Sequence, residues 1–144
     1  MNDGRQACDA PGFLERLLSA VNSHDLDGVV ACFTEDYVNE TPVHPARSFT
    51  GRDQVRQNWS AIFGGIPDLA AEVTASALQG DTLWSEWVMT GRRRDGVPHH
   101  MRGVMIFTVR GSQAAAVRFY LEPVETASGD VNAAISRTVS EPRS

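Results

Sequence analysis

The sequence contains no lysine, and all 13 of its cationic side chains are arginines. This absence excludes a Schiff-base lysine, a pyridoxal phosphate anchor and a P-loop lysine. Positive charge is also scarce, since the formal net charge is -5 and the pI is about 5.3. Nucleic acids and anionic membrane surfaces bind chiefly to basic patches, so we expect neither as a partner. A small neutral or apolar ligand fits this composition better.

Cysteines and long hydrophobic runs are few as well. Cys8 and Cys32 are the only cysteines, and the four histidines, of which His99 and His100 are adjacent, lack the paired spacings of a zinc site. No apolar run approaches the roughly 18 residues of a membrane span. The first residues also lack a charged-then-apolar signal pattern. We therefore expect a cytoplasmic protein with no metal, no cofactor and no membrane partner.

The length of 144 residues, with 42% hydrophobic side chains, predicts one globular domain. Polar residues at both ends predict flexible segments over residues 1–9 and 126–144. The folded domain is therefore expected to span residues 10–125.

Three helices are predicted in the first half of the chain. Apolar residues recur at helical spacing over about residues 10–22. Asp25 is a predicted N-cap of a short second helix, and the residues Thr50 to Asp53 resemble a capping box before a third helix. The second helix is expected to bury one apolar stripe made of Leu26, Val29, Val30 and Phe33.

The second half of the chain changes to an alternating pattern broken by glycine turns. Four strands of an antiparallel meander are predicted at residues 69–79, 82–92, 98–110 and 113–122. Three helices followed by a curved sheet predict an α+β domain in which the helices cover one sheet face. A ligand pocket is expected between the helices and the concave face.

Five segments of the chain stand out by their order and spacing: Ala20–Gly28, Phe33–Asp36, Thr50–Asp53, Trp87–Gly91 and Tyr120–Pro123. Together they resemble the nuclear transport factor two-like superfamily and its SnoaL-like, polyketide cyclase-like branch. The resemblance spans about residues 10–125 and implies a cone-shaped fold with three N-terminal helices on a curved antiparallel sheet. Members include polyketide cyclases, ketosteroid isomerases, limonene epoxide hydrolases and proteins that only bind or assemble, so the fold leaves the activity open.

The chemistry of two related enzyme groups is missing from this chain. The tyrosine, the general-base aspartate and the oxyanion-hole acid of ketosteroid isomerases fall on Leu17, Thr41 and about Met105. The arginine and aspartate of limonene epoxide hydrolases fall near Trp87 and Met89. The resemblance therefore implies neither of these two active sites.

The acid–base aspartate of the SnoaL-like cyclases falls on Glu122, with Tyr120 two residues before it. Alternation along the last strand places Arg118, Tyr120 and Glu122 on one face, and Phe119 and Leu121 on the other. Hydropathy alone would turn Phe119 and Leu121 inward, whereas the resemblance favours an inward Glu122. We expect Glu122 to face the pocket.

A carboxyl group in an apolar pocket would have a raised pKa and could move a proton. Glu122 is therefore the predicted catalytic base, and Tyr120 or His44 is the predicted donor to an enolate oxygen. The residues expected to contact the substrate are Leu17, Glu40, Trp87, Met89, His99, Met105 and Phe107.

The predicted function is a cofactor-free acid–base enzyme, of aldol cyclase or isomerase type, that acts on a small apolar or polycyclic carbonyl compound. One alternative is a binding or dimerisation module of the same fold that has no catalytic group. A second alternative is a hydratase or dehydratase. An apolar outer face of the sheet also predicts a homodimer.

Overall fold

The computed structural model describes residues 8–127 and 129–140. Their helices are α1 (Ala10–Asn22), α2 (Leu26–Ala31), α3 (Arg52–Gly65) and α4 (Val131–Ser140), with a short 3-10 turn at Pro45–Arg47. The strands are β1 (Phe33–Glu40), β2 (Phe49–Thr50), β3 (Ala70–Gln79), β4 (Thr82–Arg92), β5 (Pro98–Arg110) and β6 (Gln113–Pro123).

The six strands form one curved, unclosed sheet in the order β2-β1-β6-β5-β4-β3. Strands β3 to β6 pair antiparallel as predicted, and each begins and ends within one residue of the predicted bounds. Strand β1 pairs parallel with β6, which extends the meander at its open edge. The α+β fold is therefore confirmed.

Local contacts explain where α1 and α2 begin. The side chain of Asp9 accepts a hydrogen bond from the Gly12 N–H at 3.1 Å, and Asp25 accepts one from the Gly28 N–H at 3.0 Å. These are ordinary N-cap contacts, which satisfy free donors in the first turn. The predicted Asp25 cap is therefore confirmed.

His24 fixes the corner between these two helices. It is the only non-glycine residue with a positive φ, 56°, in the described part of the chain. Its Nε2 lies 2.9 Å from the Leu69 carbonyl oxygen, and its ring stacks on Phe63 at 4.7 Å. The corner is thereby tied to α3 and to the segment before β3.

Two local predictions were wrong. Phe33 does not continue the second helix, because α2 ends at Ala31 and Phe33 begins β1, where it pairs with Ala114. The capping box before α3 is also missing, since Gly51 is the N-cap and no side chain caps this helix. In the first case a long-range strand pairing overrides the helical pattern.

The C-terminal segment contains α4, which the sequence analysis did not predict, and no residue of this helix is buried. The flexibility predicted for residues 126–144 and 1–9 stays a prediction. Residues 1–7, 128 and 141–144 lie outside the described part, whereas Asp9 is bonded to the turn before β6 through the Gly111 carbonyl. None of the helices in the described ranges is long and apolar enough to cross a membrane.

Strict alternation gives the sheet two different faces. The inner face packs against the helices and holds the buried core, including Trp87, which is 0% exposed. The outer face carries Trp84, which is 43% exposed, although it lies on the same strand. The prediction that Trp87 is the inward tryptophan is confirmed.

Candidate functional site

A cavity of about 350 Å³ lies between the helices and the inner face of the sheet. Its deep part is apolar and almost fully buried. The residues of this apolar wall are Leu17, Val21, Phe33, Val55, Trp87, Met89, Met105, Phe107 and Leu121. Such a volume suits a small, mostly apolar ligand.

The largest wall residue, Trp87, is held by a buried hydrogen-bond chain. Its indole N–H donates to Ser85 Oγ at 2.9 Å, and the Ser85 hydroxyl donates to the Met105 carbonyl at 2.7 Å. A buried indole N–H normally needs such a partner. Ser85 was not a predicted site residue, although it lies two residues before Trp87 and therefore on the same face of the strand.

A row of polar side chains on β1 and just beyond it also faces the cavity; we call Tyr37, Asn39 and Thr41 the polar row. The Thr41 hydroxyl donates to Asn39 Oδ1 at 2.9 Å, and Asn39 Nδ2 donates to the Tyr37 hydroxyl oxygen at 3.4 Å. The hydrogen bonds therefore run in one direction, from the Thr41 hydroxyl through the Asn39 amide to the Tyr37 hydroxyl oxygen. In the hydrogen bonds of the described chain, the Tyr37 proton has no acceptor.

Tyr37 is neutral in this setting. Burial raises the pKa of Tyr37 above its ordinary value, and the hydrogen bond from Asn39 acts weakly in the opposite sense. The hydroxyl therefore keeps its proton at neutral pH and can donate it to an acceptor in the cavity.

His99 lines the cavity from β5, whereas its neighbour His100 is exposed. Burial lowers the pKa of His99 from its ordinary value, and the nearby charge of His100 lowers it further. The ring is therefore neutral at pH 7, with one nitrogen free to accept a proton.

We expect an NMR titration to place the His99 pKa below the value of about 6.5 for a free histidine. In the His100→Gln variant the His99 pKa should rise yet stay below that value, because burial is the larger cause. The pKa of His99 is lower in the folded protein than in the unfolded chain, so the contribution of His99 to the free energy of unfolding is fully present above about pH 6.5. It is lost as the pH falls from there through the folded pKa. A His99 pKa at or above 6.5 would contradict this description.

The predicted orientation of the last strand was wrong. Phe119 and Leu121 face the cavity, and Tyr120 and Glu122 lie on the outer face, where their register partners are Val104 and Arg102. Hydropathy explains this orientation. Burying Leu121, which is 3% exposed, lowers the free energy of the fold, whereas burying the Glu122 carboxylate would raise it. Neither Tyr120 nor Glu122 is among the described residues that line the cavity.

His44 and Glu40 are also outside the cavity wall. His44 Nε2 lies 2.9 Å from Glu122 Oε1, and the two side chains are 35% and 41% exposed. Glu40 is exposed and pairs in register with the outward Arg118. Glu40 and His44, which were predicted as site residues, are therefore not among the described residues that line the cavity.

Six other predicted residues do lie in the cavity wall: Leu17, Trp87, Met89, His99, Met105 and Phe107. Their contact with a substrate stays a prediction. The polar row, Arg47 and Asn58 were not proposed as ligand contacts from the sequence. Alternation along β1 could have found the polar row, because Tyr37 and Asn39 are two residues apart and Thr41 follows at the same interval.

The titratable side chains among the described lining residues are Tyr37, Arg47 and His99, with no aspartate or glutamate. Within residues 8–127 and 129–140, no group of three or more His, Cys, Asp or Glu side chains could hold a metal ion. Proton transfer within this cavity would therefore depend on His99.

Solved structures share this architecture. A protein with a ketosteroid isomerase-like fold from Catenulispora acidiphila DSM 44928, in complex with trimethylamine, is 16% identical, with a TM-score of 0.66 over 83% of this chain and 88% of that chain. A candidate polyketide cyclase from Sinorhizobium meliloti is 21% identical, with a TM-score of 0.61 over 79% and 96%. A candidate isomerase from Bacillus subtilis is 18% identical, with a TM-score of 0.67 over 78% and 86%. At these identities the likeness shows the fold alone.

A search of curated protein sequences found no significant match. The model of the SnoaL-like domain family, in contrast, matches residues 14–117, which is most of the chain from α1 to β6. The chain therefore belongs to the SnoaL-like domain family of the NTF2-like superfamily.

Proposed function

We propose that the cavity binds a small, largely apolar molecule through a carbonyl or similar acceptor group. One observation carries this proposal: the buried apolar wall and the polar row face each other across a cavity of about 350 Å³. Apolar surface supplies the affinity, and the few polar groups fix the orientation of the ligand. The Tyr37 hydroxyl and the Asn39 amide have protons left to donate, which favours a ligand with an acceptor group such as a carbonyl.

Binding can be tested by isothermal titration calorimetry with 2-acetonaphthone, a neutral bicyclic ketone. Met105 faces the cavity, while the next residue, Val104, lies on the outer face. We expect Met105→Trp to fill the cavity and lower the affinity at least about tenfold, whereas Val104→Trp should leave it unchanged. Circular dichroism would check that both variants fold. Equal affinities in the two variants, or no binding to the unaltered protein, would contradict the proposal.

A second candidate function is proton transfer of the isomerase or cyclase type, and the position of His99 favours it. The neutral imidazole would take the proton from the carbon next to the carbonyl, leaving an enolate. A hydroxyl or amide donor of the polar row would stabilise the enolate oxygen. The imidazolium would then return the proton to a different carbon of the conjugated enolate. In a cyclase-type reaction, the enolate carbon would instead attack a second carbonyl of the same molecule, and the imidazolium would protonate the alkoxide that forms. Hydration is less well supported, because it needs a water held between two groups in a mostly apolar space.

Solvent deuterium exchange into a bound ketone, followed by NMR, would test this second candidate. His99→Gln should abolish protein-dependent exchange, while the adjacent exposed His100→Gln should retain it. Glu122→Gln should also retain it, since Glu122 lies outside the cavity. Loss of exchange in Glu122→Gln alone would restore the carboxylate to the catalytic role and remove His99 from it.

We also propose that the outer face pairs two copies of the chain. Trp84 and Val38 are 43% and 44% exposed there, and Trp84 pairs in register with the apolar Ile106 on β5. Exposed apolar patches of this kind often mark an interface. Sedimentation velocity should find a dimer, and Trp84→Glu should shift it to the monomer. The cytoplasmic location remains a proposal.

A further inference from the structure

Arg47 is unusual among the arginines of this protein. Its exposed side chain lines the cavity, and it has no ion pair, hydrogen bond or aromatic partner in the described residues. Arg137 also has an interaction partner. The remaining described arginines bind carboxylates, backbone carbonyls or, for Arg118, the Trp84 ring. Arg47 is thus the one guanidinium in this part of the chain that has no interaction partner.

The loop geometry places Arg47 at one end of the polar row. The backbone N–H of Thr41 donates to Ser48 Oγ at 3.0 Å, which joins the two ends of the loop. The short turn Pro45–Arg47 immediately precedes Ser48 and is closed by a backbone bond from the Ser48 N–H to the Pro45 carbonyl. Arg47 therefore sits where the polar row meets solvent.

The polar groups around the cavity are mostly donors without acceptors. Asn39 Oδ1 is already bonded to Thr41, and Asn58 Oδ1 accepts from Gln54 Nε2 at 2.8 Å. The amide nitrogens of both asparagines still have protons to donate, as does the Tyr37 hydroxyl. A ligand that satisfies this lining must bring acceptor atoms.

The charge of the cavity lining also indicates a ligand with acceptor atoms. Arg47 is the only charged residue of the described cavity lining, because His99 is neutral and no carboxylate is present. An anionic ligand would meet no repulsion from the lining and could form paired charge-assisted bonds with the planar guanidinium.

We propose that the natural ligand is an apolar carboxylic acid that binds as its carboxylate. The carboxylate contacts Arg47 and the adjacent donors of the polar row, and the hydrocarbon part lies against the buried wall formed by Trp87 and Phe107. This inference rests on the proposed binding function and narrows its ligand class from acceptor-bearing molecules to anions.

The test compares 2-naphthoic acid with 2-acetonaphthone, in which a methyl group replaces one carboxylate oxygen. Calorimetry at pH 7.5 and low salt should show the acid binding about tenfold more tightly than the ketone. Arg47→Gln should weaken binding of the acid about tenfold and change the affinity for the ketone much less, because only the carboxylate forms charge-assisted bonds with the guanidinium. Added salt should weaken binding of the acid only. Arg118→Gln, on the outer face, is the matched control and should change neither affinity.

The outcomes separate this inference from the proposed function. If the ketone binds and the acid binds equally or less well, the carboxylate proposal is overturned and the binding function stands. If Arg47→Gln weakens both ligands alike, Arg47 has only a structural role and the proposal is again overturned. If neither ligand binds the unaltered protein, the binding function fails and the carboxylate proposal fails with it.

Discussion

Replacing Gly103 with alanine is expected to destabilise the fold by about 3 kcal/mol or more. Gly103 lies in the centre of β5 with φ at 156°, a conformation that side-chain-bearing residues rarely adopt. A Cβ built there would lie 2.0 Å from the Tyr120 carbonyl oxygen and 2.8 Å from Leu121 Cα. Both contacts are with the backbone of the paired strand, so relief requires moving β6 away from β5.

Urea denaturation of Gly103→Ala, followed by circular dichroism, measures this loss. Gly64→Ala is the matched control, since it makes the same chemical change in α3 where a Cβ would meet nothing within 4 Å. Alanine is the better helix former, so this control should be neutral or slightly more stable. Similar midpoints for the two variants would show that β5 and β6 are not as closely apposed as described.

Trp87→Ala is expected to lower the free energy of unfolding by about 3 to 5 kcal/mol. The indole is 0% exposed, and its removal would enlarge the existing cavity beyond what the surrounding wall can fill. The Ser85 hydroxyl would also lose the hydrogen bond that it accepts from the indole N–H, although the hydrogen bond that it donates to the Met105 carbonyl would remain. Most of the loss therefore comes from packing and not from the hydrogen bond.

Trp84→Ala provides the comparison on the same strand. Trp84 is 43% exposed, and the Arg118 guanidinium lies 5.9 Å from its ring centroid. We expect this variant to lose about 1 kcal/mol or less. Thermal and urea unfolding at one low protein concentration would compare the two variants. An equal loss for both would mean that the inner and outer faces of β4 have been exchanged.

Much of the fold follows from local sequence. The four long strands were predicted almost to the residue, because their alternation and the glycine turns at Gly80, Gly96 and Gly111 are short-range signals. Helix α1 and the Asp25 cap of α2 were found for the same reason. Phe33 was misassigned because its strand partner, Ala114, is distant in sequence and leaves no local trace.

Some of the cavity residues could also be predicted from local sequence, and others could not. Trp87, Met89, Met105 and Phe107 were identified because an apolar residue on an alternating strand has one obvious direction to face. On strand β6 the hydropathy of Phe119 and Leu121 indicated the correct inward face, although Tyr120 on the other face is also aromatic. The resemblance to cyclases then favoured an inward Glu122, whereas Glu122 is not among the described residues that line the cavity.

The sequence by itself determined the α+β architecture, the bounds of β3 to β6 and an apolar inner face, because each depends on periodicity along a continuous segment. The family followed from the resemblance of several segments and not from periodicity. Only the tertiary structure showed that the polar row and Arg47 face the cavity together. Tyr37, Asn39, Thr41 and Arg47 come together through the pairing of β1 with β6 and the bond between Thr41 and Ser48. Contacts between distant segments have no period in the sequence, so the chemistry of the site appears only when the chain is folded.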